Sequence, residues 1–221
     1  MMIQHVLPAD IERTSMEIIQ RELDTMGVVL PAEHAAVVKR VIHTTADFDY
    51  AKTLTFTQNA LQAGVEALQE GIPIVTDTNM ARAGISKQGL AKLNSTAHCF
   101  MAEEEIARAA RQHGTTRAVA AMEKAAKEFP GAILAIGNAP TALLQIVQQI
   151  QTGLRPALVI GVPVGFVNVE ESKRLLLRTC ARFSVPCIVA IGRKGGSNVA
   201  AAICNALIYT ATDTLDPVRR K

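Results

Sequence analysis

His43 is the side chain in this sequence with the best-placed companions for moving a proton near neutral pH. It stands in the run Arg40-Val41-Ile42-His43-Thr44-Thr45-Ala46-Asp47-Phe48-Asp49-Tyr50. On a helix, Arg40 and His43 share a face because they are three residues apart. Asp47 and Asp49 follow closely enough for one of them to orient the imidazole. An arginine that holds an anion beside a histidine that exchanges protons is a workable acid–base pair. The same residues also suit a cationic cap at a helix C-terminus, and spacing alone leaves both readings open. The other histidines offer less. His5 lies near the N-terminus, His34 and His113 fall at exposed helical positions, and His98 falls in a strand, where a hydrogen-bonded core role is expected.

Three further segments place glycine between an apolar run and a helical one. Gly137-Asn138-Ala139-Pro140-Thr141 ends in a proline suited to a first helical turn, so its N–H groups form either an anion site or an ordinary tight turn. In Gly161 to Lys173, Asn168 is a candidate N-cap with Glu171 as its capping-box partner, which assigns Glu170 and Glu171 to the helix and its dipole. Lys173, one turn in, either reaches a ligand carboxylate or is solvated. Gly192-Arg193-Lys194-Gly195-Gly196-Ser197-Asn198 sets two cations beside glycine amides, but it lacks the Walker spacing, and no G-x-G-x-x-G occurs anywhere. Three such turns on one sheet edge favour a large ligand bearing several carboxylates or phosphates.

Other chemistries lack their signatures. There is no G-x-S-x-G nucleophile elbow and no H-E-x-x-H metal motif. Cys99, Cys180, Cys187 and Cys204 show no C-x-x-C spacing, and His98 beside Cys99 would point to the opposite face of a strand. Buried free thiols in a reducing cytoplasm are the expectation. What remains is a cofactor-free, metal-free acid–base enzyme, or a binding domain for an anionic molecule.

The elements that must position these residues are legible from periodicity. Pro8 to Met26 and a segment opening at Pro31 carry apolar residues at helical spacing. Apolar, β-branched runs then recur at Ile72–Thr76, Ser95–Phe100, Ala132–Ile136, Ala157–Val162 and Pro186–Ile191. Helical stretches separate them at about Thr57–Glu70, Glu103–Glu128 (split at Gly114-Thr115-Thr116), Ala139–Gln151, Val169–Phe183 and Ser197–Thr210. Continuous apolar strands alternating with helices predict a parallel sheet covered on both faces. The expected fold is a three-layer α/β/α domain with extra N-terminal helices, a single unit over residues 1–221. Ligands of such sheets bind beyond the carboxyl ends of the strands.

Composition narrows the partners. The chain has 23 basic and 20 acidic residues, and Arg219, Arg220 and Lys221 account for the whole excess of +3. A neutral body with a short basic tail, two Tyr and no Trp does not fit a nucleic-acid binder. The tail, about 214–221, is expected to be disordered and unrelated to the site. No signal-peptide layout opens the chain, and the longest apolar run, Ala157 to Val167, is too short for a bilayer, so a cytoplasmic protein without a membrane partner is expected.

In order along nearly the whole chain, these segments resemble the precorrin-8X methylmutase family of cobalamin biosynthesis. The matching stretches are Ile11-Glu12-Arg13-Thr14-Ser15, Arg40 to His43 with its TTADFDY continuation, Gly71 to Asp77, Gly114 to Arg117, GNAPTAL at 137–143, GVPVGFVNVEESK at 161–173 and GRKGGSNVAAAICNAL at 192–207. The resemblance spans roughly residues 5 to 210 and omits the basic tail. It implies an intramolecular methyl shift from ring carbon 11 to ring carbon 12 of a corrin precursor, by a homodimer that needs no dissociable cofactor. It implies that His43 exchanges a proton with the macrocycle and that Ser15, Arg40 and Arg117 bind substrate. Asn138, Thr141, Lys173 and Arg193 are assigned to the same cleft. The TTADFDY form is more similar to the anaerobic branch, in which cobalt arrives inside the substrate. A non-catalytic tetrapyrrole carrier is the alternative; a nucleotide-binding regulatory domain is disfavoured by the missing phosphate-loop and dinucleotide signatures.

Overall fold

The computed structural model describes residues 8–220, so His5 and Lys221 lie outside the described residues. Helices α1 (Pro8–Thr25) and α2 (Ala32–Thr45) open the chain, and Pro31 immediately precedes α2, as a residue with a fixed φ should. Six strands follow: β1 (Leu54–Phe56), β2 (Ile74–Thr76), β3 (Ala97–His98), β4 (Ile133–Ile136), β5 (Leu158–Gly161) and β6 (Cys187–Ala190). They form one sheet in the order β1-β6-β5-β4-β2-β3, parallel except for β1. The expected three-layer α/β/α fold is what forms.

Both faces of the sheet are apolar. Ile133, Ala135, Leu158, Ile160, Ile188 and Ala190 point to one core, shared with α1, α2, α4 (Ala60–Gln69) and α11 (Ser197–Ala211). Their alternating neighbours Leu134, Ile136, Val159, Cys187 and Val189 point to a second core, with α7 (Glu104–Gln112), α8 (Arg117–Glu128), α9 (Pro140–Gln151) and α10 (Val169–Arg182). This alternation is why the strands read as unbroken apolar runs. Cys180, Cys187 and Cys204 are buried free thiols, as expected, and Cys99 is half-buried. Among the described residues, no helix is long and apolar enough to cross a membrane.

Strand β1 was not visible in the periodicity, and its direction matters for the site. Leu54 pairs with Ala190 and Phe56 with Ile188, antiparallel, and the Ile191 amide donates to the Thr53 carbonyl. The chain therefore enters β1 from the carboxyl edge of the sheet, carrying the end of α2 and the short helix α3 (Tyr50–Thr53) to that edge. Thr57 continues the pairing, since it exchanges bonds with the backbone of Cys187, and so α4 starts at Ala60 instead of Thr57. Two short helices also escaped the apolar pattern, α5 (Asn79–Gly84) and α6 (Lys87–Lys92). Each is started by a hydroxyl cap, Thr78 accepting from the Ala81 amide and Ser86 from the Gly89 amide.

Two local expectations are corrected. Asn168 precedes α10 in a left-handed conformation (φ 56°) and its side chain caps nothing, so the capping box with Glu171 does not form. Glu170 pairs instead with Arg193 at 3.4 Å. The basic tail is not disordered as far as Arg220: Pro217–Arg220 form a 3₁₀ turn packed against α1. It is fastened because the Arg220 guanidinium reaches Glu12 and the carbonyls of Thr214 and Leu215.

Candidate active site

His43 lies in the last turn of α2, half-buried, and lines a pocket of about 290 Å³ with Ser15, Ile18, Ile19, Glu22, Ile42, Ala46 and Phe48. The structure thus brings Ser15 and His43 together from two helices. Ser15 donates its hydroxyl to the Ile11 carbonyl at 2.8 Å and keeps its oxygen available as an acceptor. Burial pushes the imidazole below its usual value of 6.5, helped by the positive charges of Arg40 and Arg220 and opposed by Glu12. The ring is therefore neutral at physiological pH, the form able to accept a proton.

Arg40 does not line this pocket. Its Nη2 is bonded to Glu12 Oε1 at 2.5 Å, and its guanidinium lies 5.2 Å from the centre of the Tyr209 ring. Neither Asp47 nor Asp49 orients the imidazole. Both carboxylates hold Lys194 Nζ at 2.6 Å, tying the end of α2 to the 192–196 loop. The sequence expectation failed here because a cation distant in sequence outcompetes the neighbouring histidine. The acidic pair anchors the loop that follows β6.

At the carboxyl edge, the turn 137–139 is already filled. Asp77, wholly buried after β2, accepts from the Gly137 amide at 2.8 Å through Oδ1 and from Asn138 and Ala139 at 2.8 and 2.7 Å through Oδ2. Burial pushes this carboxyl up, against the three amides that favour its charge. These amides are therefore an anion site whose anion belongs to the protein. The only hint in the sequence was an aspartate directly after an apolar strand.

The glycines of this turn and its neighbours serve close packing. A Cβ on Gly137 would stand 2.7 Å from Ser197 Cα, and one on Gly195 would stand 2.1 Å from the Val162 carbonyl oxygen. The Gly196 amide bonds that same carbonyl at 2.9 Å, so the turns after β4, β5 and β6 stack backbone on backbone. Lys173, assigned from sequence to the ligand cleft, is instead fully buried beneath this stack. Its Nζ donates to the carbonyls of Gly192 and Lys194 at 2.7 and 2.8 Å, and burial pushes it down to about 8. A neutral amine still has two N–H bonds, enough for both carbonyls. Lys173 holds the 192–194 loop from behind.

The remaining assigned residues are accessible at this edge. Asn138 is exposed, and Thr141 meets the hydroxyl of Thr116, the N-cap of α8, at 3.2 Å, which sets exposed Arg117 beside the 137–141 turn. Arg193 is 63% exposed and lies over the Phe166 ring at 5.6 Å. Phe166 and Val167, 82% and 77% exposed, are side chains that sequence reasoning passed over, because their turn was read only for its polar groups. A larger cavity of about 670 Å³ lies along β3, lined by Asn79, Arg82, Lys87, Thr96 and His98, and shares no residue with the His43 pocket. His98 bonds Thr96 at 2.8 Å and stacks on Phe129, half-exposed at the sheet edge and not in the core.

The model of the precorrin-8X methylmutase family matches residues 10–210. The chain belongs to that family. It is 42% identical over 207 residues to the cobalt-precorrin-8 methylmutase of Priestia megaterium, covering 93% of this chain and 89% of the relative. It is 46% identical over 177 residues to the Salmonella typhimurium enzyme of the same name, covering 80% and 81%. The crystal structure of precorrin-8X methylmutase from Thermus thermophilus superposes with a TM-score of 0.82 at 41% identity, covering 92% of this chain and 98% of that one. As a family member the protein is an isomerase, a precorrin-8 methylmutase of cobalamin biosynthesis.

Proposed function

We propose that this methylmutase moves a methyl group from ring carbon 11 to ring carbon 12 of cobalt-precorrin-8, giving cobyrinate, with His43 as the acid–base group. The observation that carries the role of His43 is its position: a half-buried imidazole, kept neutral by burial and two arginines, in one pocket with a serine hydroxyl. The reaction is an isomerisation, so substrate and product carry the same protons. His43 accepts a proton from the macrocycle and returns it within one turnover, which requires a group that exchanges near neutral pH. Migration itself is intramolecular, and the protein assists by fixing the protonation state and conformation from which it proceeds.

The acetate and propionate arms of the substrate match the cations around the cleft. Arg40, Arg117 and Arg193 are the arginines proposed to receive them, with Ser15, Asn138 and Thr141 supplying hydrogen bonds. The apolar face of the macrocycle fits Phe166 and Val167, which are otherwise exposed to water. Cobalt belongs to the substrate, and both curated relatives described above carry the cobalt-precorrin-8 name. A pocket of about 290 Å³ seats only one edge of a tetrapyrrole. Exposed Ile11 and Ile18 on α1 support a homodimer in which a second copy closes the rest.

Incubating the purified protein with the cobalt-bearing and the metal-free substrate, while following visible absorption, tests this reading. Repeated turnover of the cobalt form is expected. Stoichiometric binding without spectral change would make the protein a carrier. Arg40→Ala is expected to weaken substrate binding by about tenfold or more, through loss of a charge facing a carboxylate, with a smaller change in single-turnover rate. Equilibrium titration and rapid-mixing kinetics separate the two effects.

A further inference from the structure

Glu12 receives two guanidinium groups. Arg220, from the C-terminal turn, places Nη1 at 2.8 and 2.7 Å from its two oxygens, while Arg40 contributes Nη2 to Oε1 alone. All three side chains are one-fifth exposed or less. The Tyr209 ring fixes the arrangement: the Arg220 guanidinium stacks 3.7 Å from its centre, with Arg40 at 5.2 Å. A carboxylate between two arginines leaves one positive charge over. If Glu12 faced Arg40 alone, the pair would be neutral and Arg40 would have little charge left for a ligand.

We propose that Arg220 is a positioning residue of the active site: by neutralising Glu12 from the C-terminal tail, it leaves Arg40 with a net positive charge for a substrate carboxylate. The tail that looked irrelevant in the sequence thus completes the site from a distance of 208 positions along the chain. Burial alone would raise the Glu12 carboxyl, but the hydrogen bonds from Arg220 and Arg40 hold it below its usual range, so it stays charged where the enzyme works. The charged groups facing His43 are Arg40 on its own helix, Glu12 on α1 and Arg220 from the tail, with Glu22 on the rim of the pocket. The ligand side of this inference rests on the proposed anionic tetrapyrrole substrate; the charge arrangement does not.

The test compares wild type, Arg220→Ala, Arg220→Lys and the double variant Glu12→Gln/Arg220→Ala. Calorimetric titration with cobyrinic acid, the carboxylate-rimmed corrin expected as product, should give roughly tenfold weaker binding for Arg220→Ala. Arg220→Lys should recover most of the loss, and the double variant should return to within about threefold of wild type, because Arg40 again stands without a counter-charge. In parallel, the His43 ring protons are titrated by NMR without ligand. The midpoint should rise in Arg220→Ala, which removes a cation, and fall back in the double variant, which also removes the anion. Unchanged binding in Arg220→Ala overturns the proposal. So does a double variant as weak as the single one, since the tail would then act only by docking, and so does a His43 midpoint that does not move. If wild type fails to bind cobyrinic acid, the substrate reading fails, and the NMR titration alone decides whether Arg220 offsets Glu12.

Discussion

Replacing His43 by alanine is expected to slow turnover by roughly 10²–10⁴-fold, the usual worth of a positioned acid–base group, while the fold and corrin binding persist. The side chain is half-buried at the end of a helix whose anchoring residues, Val37, Val38, Val41 and Ile42, point into the core and are untouched by the change. Truncation opens space into an existing pocket and leaves no buried charge behind, so unfolding by heat should shift little. With the binding contribution assigned by the proposal to the arginines and the exposed apolar turn, cobyrinic acid affinity should stay within about threefold of wild type. The experiment is a single-turnover absorbance trace on the cobalt-bearing substrate beside a binding titration. A wild-type rate removes His43 from the chemistry. Loss of binding with an unchanged rate of the bound complex makes it a binding residue.

Asp77→Ala should produce the largest loss of stability of any change considered, about 3–6 kcal/mol. Three amides in the turn that leads into α9 point at this carboxylate, and the side chain is wholly buried. Alanine leaves those donors without acceptors, each costing about 1–3 kcal/mol, and removes a negative charge from a helix N-terminus. For a domain of this size, that is a fall in melting temperature of roughly 10 °C or more. Asp77→Asn should lie between alanine and wild type, since one oxygen remains an acceptor while the amide nitrogen turns a donor toward donors. The consequence reaches the site through packing: Gly137 abuts Ser197, so a displaced 137–141 turn displaces the start of α11 and the Arg117 region with it. Denaturant unfolding monitored by circular dichroism checks the size, and a loss below about 1 kcal/mol would show that water replaces the carboxylate.

These two residues also mark how far the sequence could be read. The parallel sheet was legible because β4, β5 and β6 bury both faces, so their composition is continuous and apolar. Strand β1 was not, since three residues without glycine or proline on either side carry no period. Its antiparallel direction is what brings His43 to the carboxyl edge, so the position of the candidate catalyst depends on the least legible strand. The glycine-rich turns were legible, but spacing left the 137–141 turn open between an anion site and an ordinary tight turn. Their amides and glycines satisfy Asp77 and each other, partnerships between segments 28 to 62 residues apart. Lys173 and Asp47 were misplaced for the same reason: each binds a loop distant in sequence more strongly than anything beside it. Local spacing names residue types well, whereas charge pairing across the fold decides which of them remain free for a substrate.

The net charge of the tail followed that rule too. Arg219 pairs with Asp213 at the surface, while Arg220 turns inward to Glu12. One basic residue of the excess is thereby solvated and another is placed beside the candidate site.

The measurement that tests the role of His43 most directly is the pH dependence of the single-turnover rate at sub-saturating substrate, which reports ionisations of the free enzyme, set against the NMR titration of the same imidazole without ligand. His43 is held below its usual 6.5, by burial first and then by Arg40 and Arg220, and the proposed role has it act in its neutral form. The rate is therefore predicted to rise with pH through the measured His43 midpoint, below 6.5, and to be level at neutral pH. The midpoints from kinetics and NMR should coincide, and the step should vanish in His43→Asn. A rate that is flat or falling through that midpoint, or the same step in His43→Asn, would contradict the account.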